Sequence, residues 1–320
     1  DVERATLSNG IEVVYARSAT VPVTRVAVEF DAGYAADDAD SLGVHSMMLT
    51  LMNEGTTTRD SNALAEAQER LGAAVNVGAS MDRTAASLTA VTTNLDPSLV
   101  LLSDVVRNPA FAPAEVERLR AQRLAGLANE RTQPAALAAR ALPALIYGEG
   151  NPYGRPFNGT GTPESITALT REDLIAEHAQ WVRPDNARIF VVSDLPLADI
   201  RARLERSFGD WQAPAAPRGT KAFPADIPAT TARIVLIDRP QSPQSIIYGG
   251  AVLPVSGADD LLTLQAANTV LGTDFLSRIN ADLRETKGWS YGVRGSINTL
   301  QHRAPYIVNA PVQANRTGAS

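Results

Sequence analysis

Within residues 43–56 the only imidazole is His45, set among hydroxyl and aliphatic side chains. A catalytic metal needs three ligands from His, Cys or carboxylate groups, an open position for water, and a base beside that water. On a helix the second ligand of a zinc pair lies one turn on, and the positions three and four after His45 are Met48 and Leu49. His45 therefore reads as a hydrogen-bonded, structural histidine near a helix start. His178 and His302 are isolated in the sequence and read as structural or solvated. The chain has no cysteine, which removes disulfides, thiol nucleophiles and thiolate metal sites. It has no G-x-S-x-G elbow, so a self-sufficient hydrolase with a serine triad is disfavoured.

The elements that must position these residues fit in a chain of 320 residues with 44% hydrophobic content, long enough for a substantial core and for two domains. A net charge of −6 without a Lys/Arg block argues against nucleic-acid binding. No apolar run is long enough to span a bilayer, and the first residues do not resemble a signal peptide. A start at Asp1 rather than Met reads as a processed or excised piece. Absence of cysteine fits an oxidising compartment as well as a reducing one.

Asn9-Gly10 between two short apolar segments predicts a hairpin, and residues 23–32 a strand with Val26, Val28 and Phe30 on one face. The acidic turn 37–41 offers caps for a buried helix carrying the 43–56 stretch, and Ser61 or Asn62 would cap a second helix that Gly72 stops. Two strands are expected over 75–90, then helices from Asn94, over 113–129 and over 134–147. Thr170 and Asp173 resemble a capping box, and 187–193 a buried strand. A Pro/Ala-rich linker at 213–229 divides a domain at 1–212 from one at 230–320. The second domain repeats the opening order of the first: a strand at 233–238, a strand at 246–252, an acidic turn at 256–260, and a helix from Leu261. It reads as cut short, either as a fragment or with other material completing it.

The stretch at 43–56 resembles the G-x-x-H-x-x-E-H-x-x-x-x-G-T segment of the pitrilysin/insulinase (M16) zinc metallopeptidases. Ser46 and Thr50 stand at its two His positions, Leu49 at its Glu position, and Gly126 near the family's third, glutamate ligand. The resemblance extends to 147–154, to Trp181-Val182-Arg183-Pro184-Asp185-Asn186 and to Phe208-Gly209-Asp210-Trp211, in family order. It implies an α+β fold: two related domains, antiparallel-rich sheets with helices mainly on one face, the second domain truncated. No metal is expected in this chain, because all four positions lack the needed donor.

In the second half, Leu283-Arg284-Glu285 and Tyr291 are similar to the family's Leu-Arg-Glu-x-x-Gly-x-x-Tyr segment. In paired members that Arg and Tyr reach the substrate at the partner half's zinc, which makes Arg284 and Tyr291 the substrate-binding candidates. A guanidinium fork can hold a peptide carbonyl or carboxylate, and a phenol can donate to a developing oxyanion. The alternative for this pair is a salt bridge of Arg284 with Glu285 and a half-buried strand position for Tyr291. The resemblance thus implies a non-catalytic, peptide-binding half, with zinc and base in an H-x-x-E-H-bearing subunit or polypeptide half. A scaffold or assembly protein without a peptidase role is the competing expectation. A periplasmic location is expected by analogy with exported bacterial relatives, with the cytoplasm as the alternative, and a homodimer is also compatible.

Overall fold

A computed structural model describes residues 1–224, 227 and 231–320. In chain order its elements are β1 (Val2–Thr6), β2 (Glu12–Arg17), β3 (Val23–Phe30), α1 (Val44–Met52), α2 (Ser61–Leu71), β4 (Ala73–Ala79), β5 (Thr84–Val91) and α3 (Leu95–Arg107). There follow α4 (Pro113–Glu130), α5 (Pro134–Tyr147), α6 (Pro163–Ala168), α7 (Arg171–Trp181), β6 (Ala187–Ser193) and α8 (Leu197–Phe208). The last are β7 (Gln244–Ser256), α9 (Leu262–Asn268), β8 (Arg294–Ile297) and β9 (Arg303–Gln313).

The chain divides into two compact units, one of Asp1–Ala125 with Asn158–Lys221, the other of Gly126–Phe157 with Ala222–Ser320. This interleaved division differs from contiguous domains at 1–212 and 230–320. The physical reason is α5, whose buried Leu142, Ile146 and Tyr147 belong to the second unit. There α5 packs on β7: a Cβ on Gly250 would lie 3.0 Å from Leu142, and the Tyr147 hydroxyl donates to Arg303 O at 2.7 Å. The linker expected at 213–229 forms no helix or strand over 213–224, while 225, 226 and 228–230 lie outside the described residues. Its first part is fastened to the first unit. Arg183 donates to Pro214 O and Ala216 O at 2.9 and 2.8 Å, and Lys221 Nζ donates to Ala32 O at 2.9 Å. Gly219 lies flat on Trp181, where a Cβ would fall 2.5 Å from the indole.

The first unit holds a six-stranded sheet in the order β1-β2-β6-β3-β5-β4. Strand β6 sits parallel to β2 and antiparallel to β3; the other pairings are antiparallel. Alternation decides which face is covered: Thr24, Val26, Val28 and Phe30 of β3 and Thr84, Ala86, Leu88 and Ala90 of β5 are buried, whereas Arg25 and Thr89 on the other face are exposed. Helices α1, α2 and α3 pack on β4 and α8 packs on β2. Helix α8 buries Ile200, Leu204 and Phe208, one residue per turn along a single stripe. The cap of α2 is Asp60, one residue before the expected Ser61, and its carboxylate accepts from Ala63 N at 2.8 Å.

The second unit has a three-stranded antiparallel sheet, β7-β9-β8, repeating the order and directions of β3-β5-β4. The strand expected at 233–238 does not form. Those residues lie in neither helix nor strand, and no described strand pairs with them.

Candidate functional site

Helix α1 carries the degenerate motif, and its placement begins with Asp37. Gly43, in the left-handed region at φ 89°, turns the chain into the helix, and a Cβ there would lie 2.9 Å from Gly161 Cα. The Asp37 carboxylate accepts from Gly43 N at 2.6 Å and His45 N at 3.0 Å, so the acidic turn does cap the helix, from six residues upstream of its N-cap glycine. Burial pushes the Asp37 carboxyl up to about 6, against the pull of His45 and the two N–H bonds. His45 is fully buried and bridges three elements. Its Nδ1 donates to Glu177 Oε1 of α7 at 2.6 Å, and its Nε2 lies 2.6 Å from Thr84 Oγ1 of β5. Both ring nitrogens are thereby used in cross-linking the fold, as a structural histidine requires.

The positions that would hold zinc are filled by other interactions. Arg123 Nη1 of α4 donates to Ser46 Oγ at 3.0 Å. The same guanidinium lies close enough to Tyr34 to oppose the upward push that burial gives its phenol. Thr50 donates its hydroxyl back to Ser46 O at 2.9 Å, Leu49 is buried in the core, and Gly126 offers only a hydrogen to open space. A hydroxyl already bonded to a cation, a hydroxyl turned onto its own helix, an aliphatic chain and a glycine do not make a zinc ligand set. Among the described residues no group of three or more His, Cys, Asp or Glu is placed to hold a metal.

The frame around those positions survives for reasons of packing. Gly55 has φ 138° and a Cβ there would lie 2.8 Å from Arg59 O. Thr56 donates to Asp104 Oδ2 at 2.7 Å, and the same carboxylate takes Thr58 at 2.7 Å, Arg59 at 2.8 Å and Asn108 at 3.0 Å. Burial would raise the Asp104 pKa, but the bonds from Thr58, Thr56 and Asn108 and the charge of Arg59 leave it below the usual range. Asn53 locks the end of α1 onto β4, donating to Val77 O at 3.1 Å and accepting from Val77 N at 3.0 Å.

The other two histidines are also accounted for. His178 Nε2 donates to Val106 O at 2.8 Å, with burial lowering its pKa, and His302 stacks on Phe223 with ring centroids 4.0 Å apart.

In the second unit, Arg284 lies in a π-helical turn, Ala281–Thr286, a wide turn frequent at functional positions. Its guanidinium sits 4.2 Å from the centre of the Phe275 ring, and Nε lies 3.2 Å from Glu285 Oε1. Tyr291 is 85% exposed rather than half-buried. Arg284 is thus stacked and paired yet at the surface, and the Tyr291 ring faces solvent. Arg123, Glu177, Thr84 and Asp104 were not singled out by sequence. Only Arg123 had a local signal, standing one helical turn before Gly126.

The chain is similar to an uncharacterized zinc protease of Mycobacterium leprae, 25% identical over 299 residues, which span 92% of this chain and 65% of that protein. It is similar to the Helicobacter pylori non-peptidase homolog YmxG, 22% identical across 92% of this chain and 67% of the relative. Its fold matches the crystal structure of the peptidase M16 inactive domain from Pseudomonas fluorescens with TM-score 0.85 and 25% identity, over 99% of this chain and 76% of that one. No helix among the described residues is long and apolar enough to cross a membrane. With residues 12–161 matching insulinase (peptidase family M16) and residues 168–319 the peptidase M16 inactive domain, the chain belongs to the M16 family.

Proposed function

We propose that this chain is the non-catalytic, substrate-binding half of a paired zinc metallopeptidase, holding no zinc of its own. The observation that carries the reading is a contrast within one chain: Ser46, Leu49, Thr50 and Gly126 have lost the metal chemistry, while Arg284 and Tyr291 keep groups able to bind a peptide and lie at the surface. A partner subunit or polypeptide half bearing H-x-x-E-H supplies the zinc-bound water and its base. Arg284 holds the substrate backbone through its fork, its side chain already stiffened by the Phe275 ring. The Tyr291 hydroxyl donates to the scissile oxygen as charge builds on it. The periplasm is the proposed compartment.

The test measures zinc content and peptide cleavage for this chain alone, then mixed with an H-x-x-E-H partner, then with Arg284→Ala and Tyr291→Phe. The chain alone is expected to be metal-free and inert. The mixture should cleave, with either substitution lowering kcat/KM by about a hundredfold, the scale for losing one oxyanion donor. Stoichiometric zinc or cleavage by the chain alone would overturn the reading. A mixture indifferent to both substitutions would favour a scaffold of the same fold, the reading closer to the non-peptidase relative.

A further inference from the structure

Arg284 and Tyr291 stand on a backbone that is fixed from beneath. Leu283, beside Arg284, is buried in a cluster with Val293, Ala310 and Val312, and its carbonyl accepts from Trp289 N at 2.9 Å. Arg284 O accepts from Gly288 N at 3.0 Å, and Gly288, at φ 64°, takes the left-handed conformation that turns the chain toward Tyr291. The buried Ser290 donates to Pro311 O at 2.6 Å and accepts from Gly292 N at 3.0 Å, so both neighbours of Tyr291 are tied.

The ring against Arg284 is held in the same way. Phe275 is 56% exposed, so burial does not fix it. Its carbonyl accepts from Asn280 Nδ2 at 2.6 Å, and Asn280 Oδ1 accepts from Val293 N at 2.8 Å. Two residues earlier, Thr273 donates to Gly295 O at 3.1 Å and accepts from Asn268 Nδ2 at 2.7 Å. Two buried asparagines thus pin the loop 273–275 to the start of β8, and the Phe275 ring rises from a backbone with little freedom.

A guanidinium offers flat faces for stacking and edges for donation. At Arg284 one face lies 4.2 Å from the centre of the Phe275 ring, and Nε lies 3.2 Å from Glu285 Oε1. Asp282, the other acid of the turn, is occupied by Lys287 at 2.5 Å. Neither Nη1 nor Nη2 of Arg284 makes a hydrogen bond among the described residues. The edge left for a ligand is the Nη1–Nη2 pair, with a carboxylate already standing at Nε.

We propose that Phe275 and Glu285 are positioning residues for Arg284, which make it a reader of uncharged main-chain carbonyls rather than of carboxylates. The inference rests on the substrate-binding role of Arg284. The ring removes the swing of a long side chain, and Glu285 repels a second carboxylate brought to the adjacent edge. A peptide carbonyl meets no such repulsion.

Two measurements test this. The first needs no partner: NMR relaxation of the Arg284 Nε–Hε group in the 320-residue chain, assigned by its loss in Arg284→Lys. Phe275→Leu is expected to drop its order parameter below about 0.6, and Phe275→Tyr to preserve it. An order parameter unchanged by Phe275→Leu, or already low in the parent chain, overturns the positioning role. The second is cleavage by the mixture with an H-x-x-E-H partner. Phe275→Leu should lower kcat/KM about three- to fivefold, the worth of an exposed cation–π contact, and Phe275→Tyr should not. In an Arg284→Ala background Phe275→Leu should cost nothing further; a loss that persists there overturns the proposal in favour of a general structural role. Scanning Glu against Gln along a cleaved peptide, Glu285→Gln should relieve the penalty for Glu at one position about three- to fivefold, and an unchanged scan overturns the carbonyl preference. An Arg284→Ala mixture that cleaves as well as the parent would sink the substrate-binding reading, and with it the carbonyl preference, while the relaxation result decides the positioning role by itself.

Discussion

Replacing His45 with alanine tests whether this histidine is a structural bridge. The substitution strands the Glu177 carboxyl and the Thr84 hydroxyl, both buried, whose side-chain bonds described here all run to His45. Losing the hydrogen bond to a buried carboxylate costs about 1.5–3 kcal/mol. A stranded hydroxyl adds about 1 kcal/mol, for a loss of about 2.5–4 kcal/mol. The assay is urea unfolding followed by tryptophan fluorescence, to which Trp181 and Trp211 of the first unit contribute alongside Trp289 of the second. Combining His45→Ala with Glu177→Ala should cost about 2 kcal/mol less than the two single losses added, because the second change removes a group the first had already isolated. His45→Gln, still able to reach one partner, should fall between. A loss below about 1 kcal/mol, or strict additivity in the double variant, would refute the bridge.

Two further outcomes concern the carboxylates around the same helix. Because Asp37 titrates near 6 when folded against 3.8 as its ordinary value, its folded form holds the proton more tightly, so its contribution to stability is full below about pH 4, falls as pH rises toward 6 and is flat above. The total fall is about 3 kcal/mol. The difference between the parent chain and Asp37→Asn, measured as urea stability across that range, should show this slope, whereas carboxylates with lowered pKa such as Asp104 cancel in the subtraction. Asp104→Ala, which leaves Thr56, Thr58, Arg59 and Asn108 without their acceptor, should lose about 3 kcal/mol, and Asp104→Asn about half that, read from the same unfolding midpoints.

Elements with their own periodicity were legible in the sequence. The alternation of Val26, Val28 and Phe30 marked β3 and its buried face, and the Thr170–Asp173 box marked the start of α7. Elements defined by a distant partner were not. Residues 233–238 have strand composition, but a strand exists only beside another. The same limit hid α5, a helix whose extent was plain and whose choice of sheet is a tertiary matter. At the candidate site, the loss of metal ligands at Ser46, Leu49, Thr50 and Gly126 was readable as chemistry. The partners of His45 lie 132 and 39 residues away in the chain, beyond any local pattern. The frame around the lost ligands stayed recognisable because Gly43, Gly55 and Thr56 answer to backbone geometry and to Asp104, neither of which needs a metal.

Arg123 gives that helix pair an unusual constancy. A metal holding α1 to α4 would come and go with chelators, with metal supply and with the acidity that protonates imidazole. A guanidinium stays charged throughout the range in which proteins operate, and here it is covalently part of α4 and donates to Ser46. The join between the two helices is therefore complete as soon as the chain folds, with no loading step.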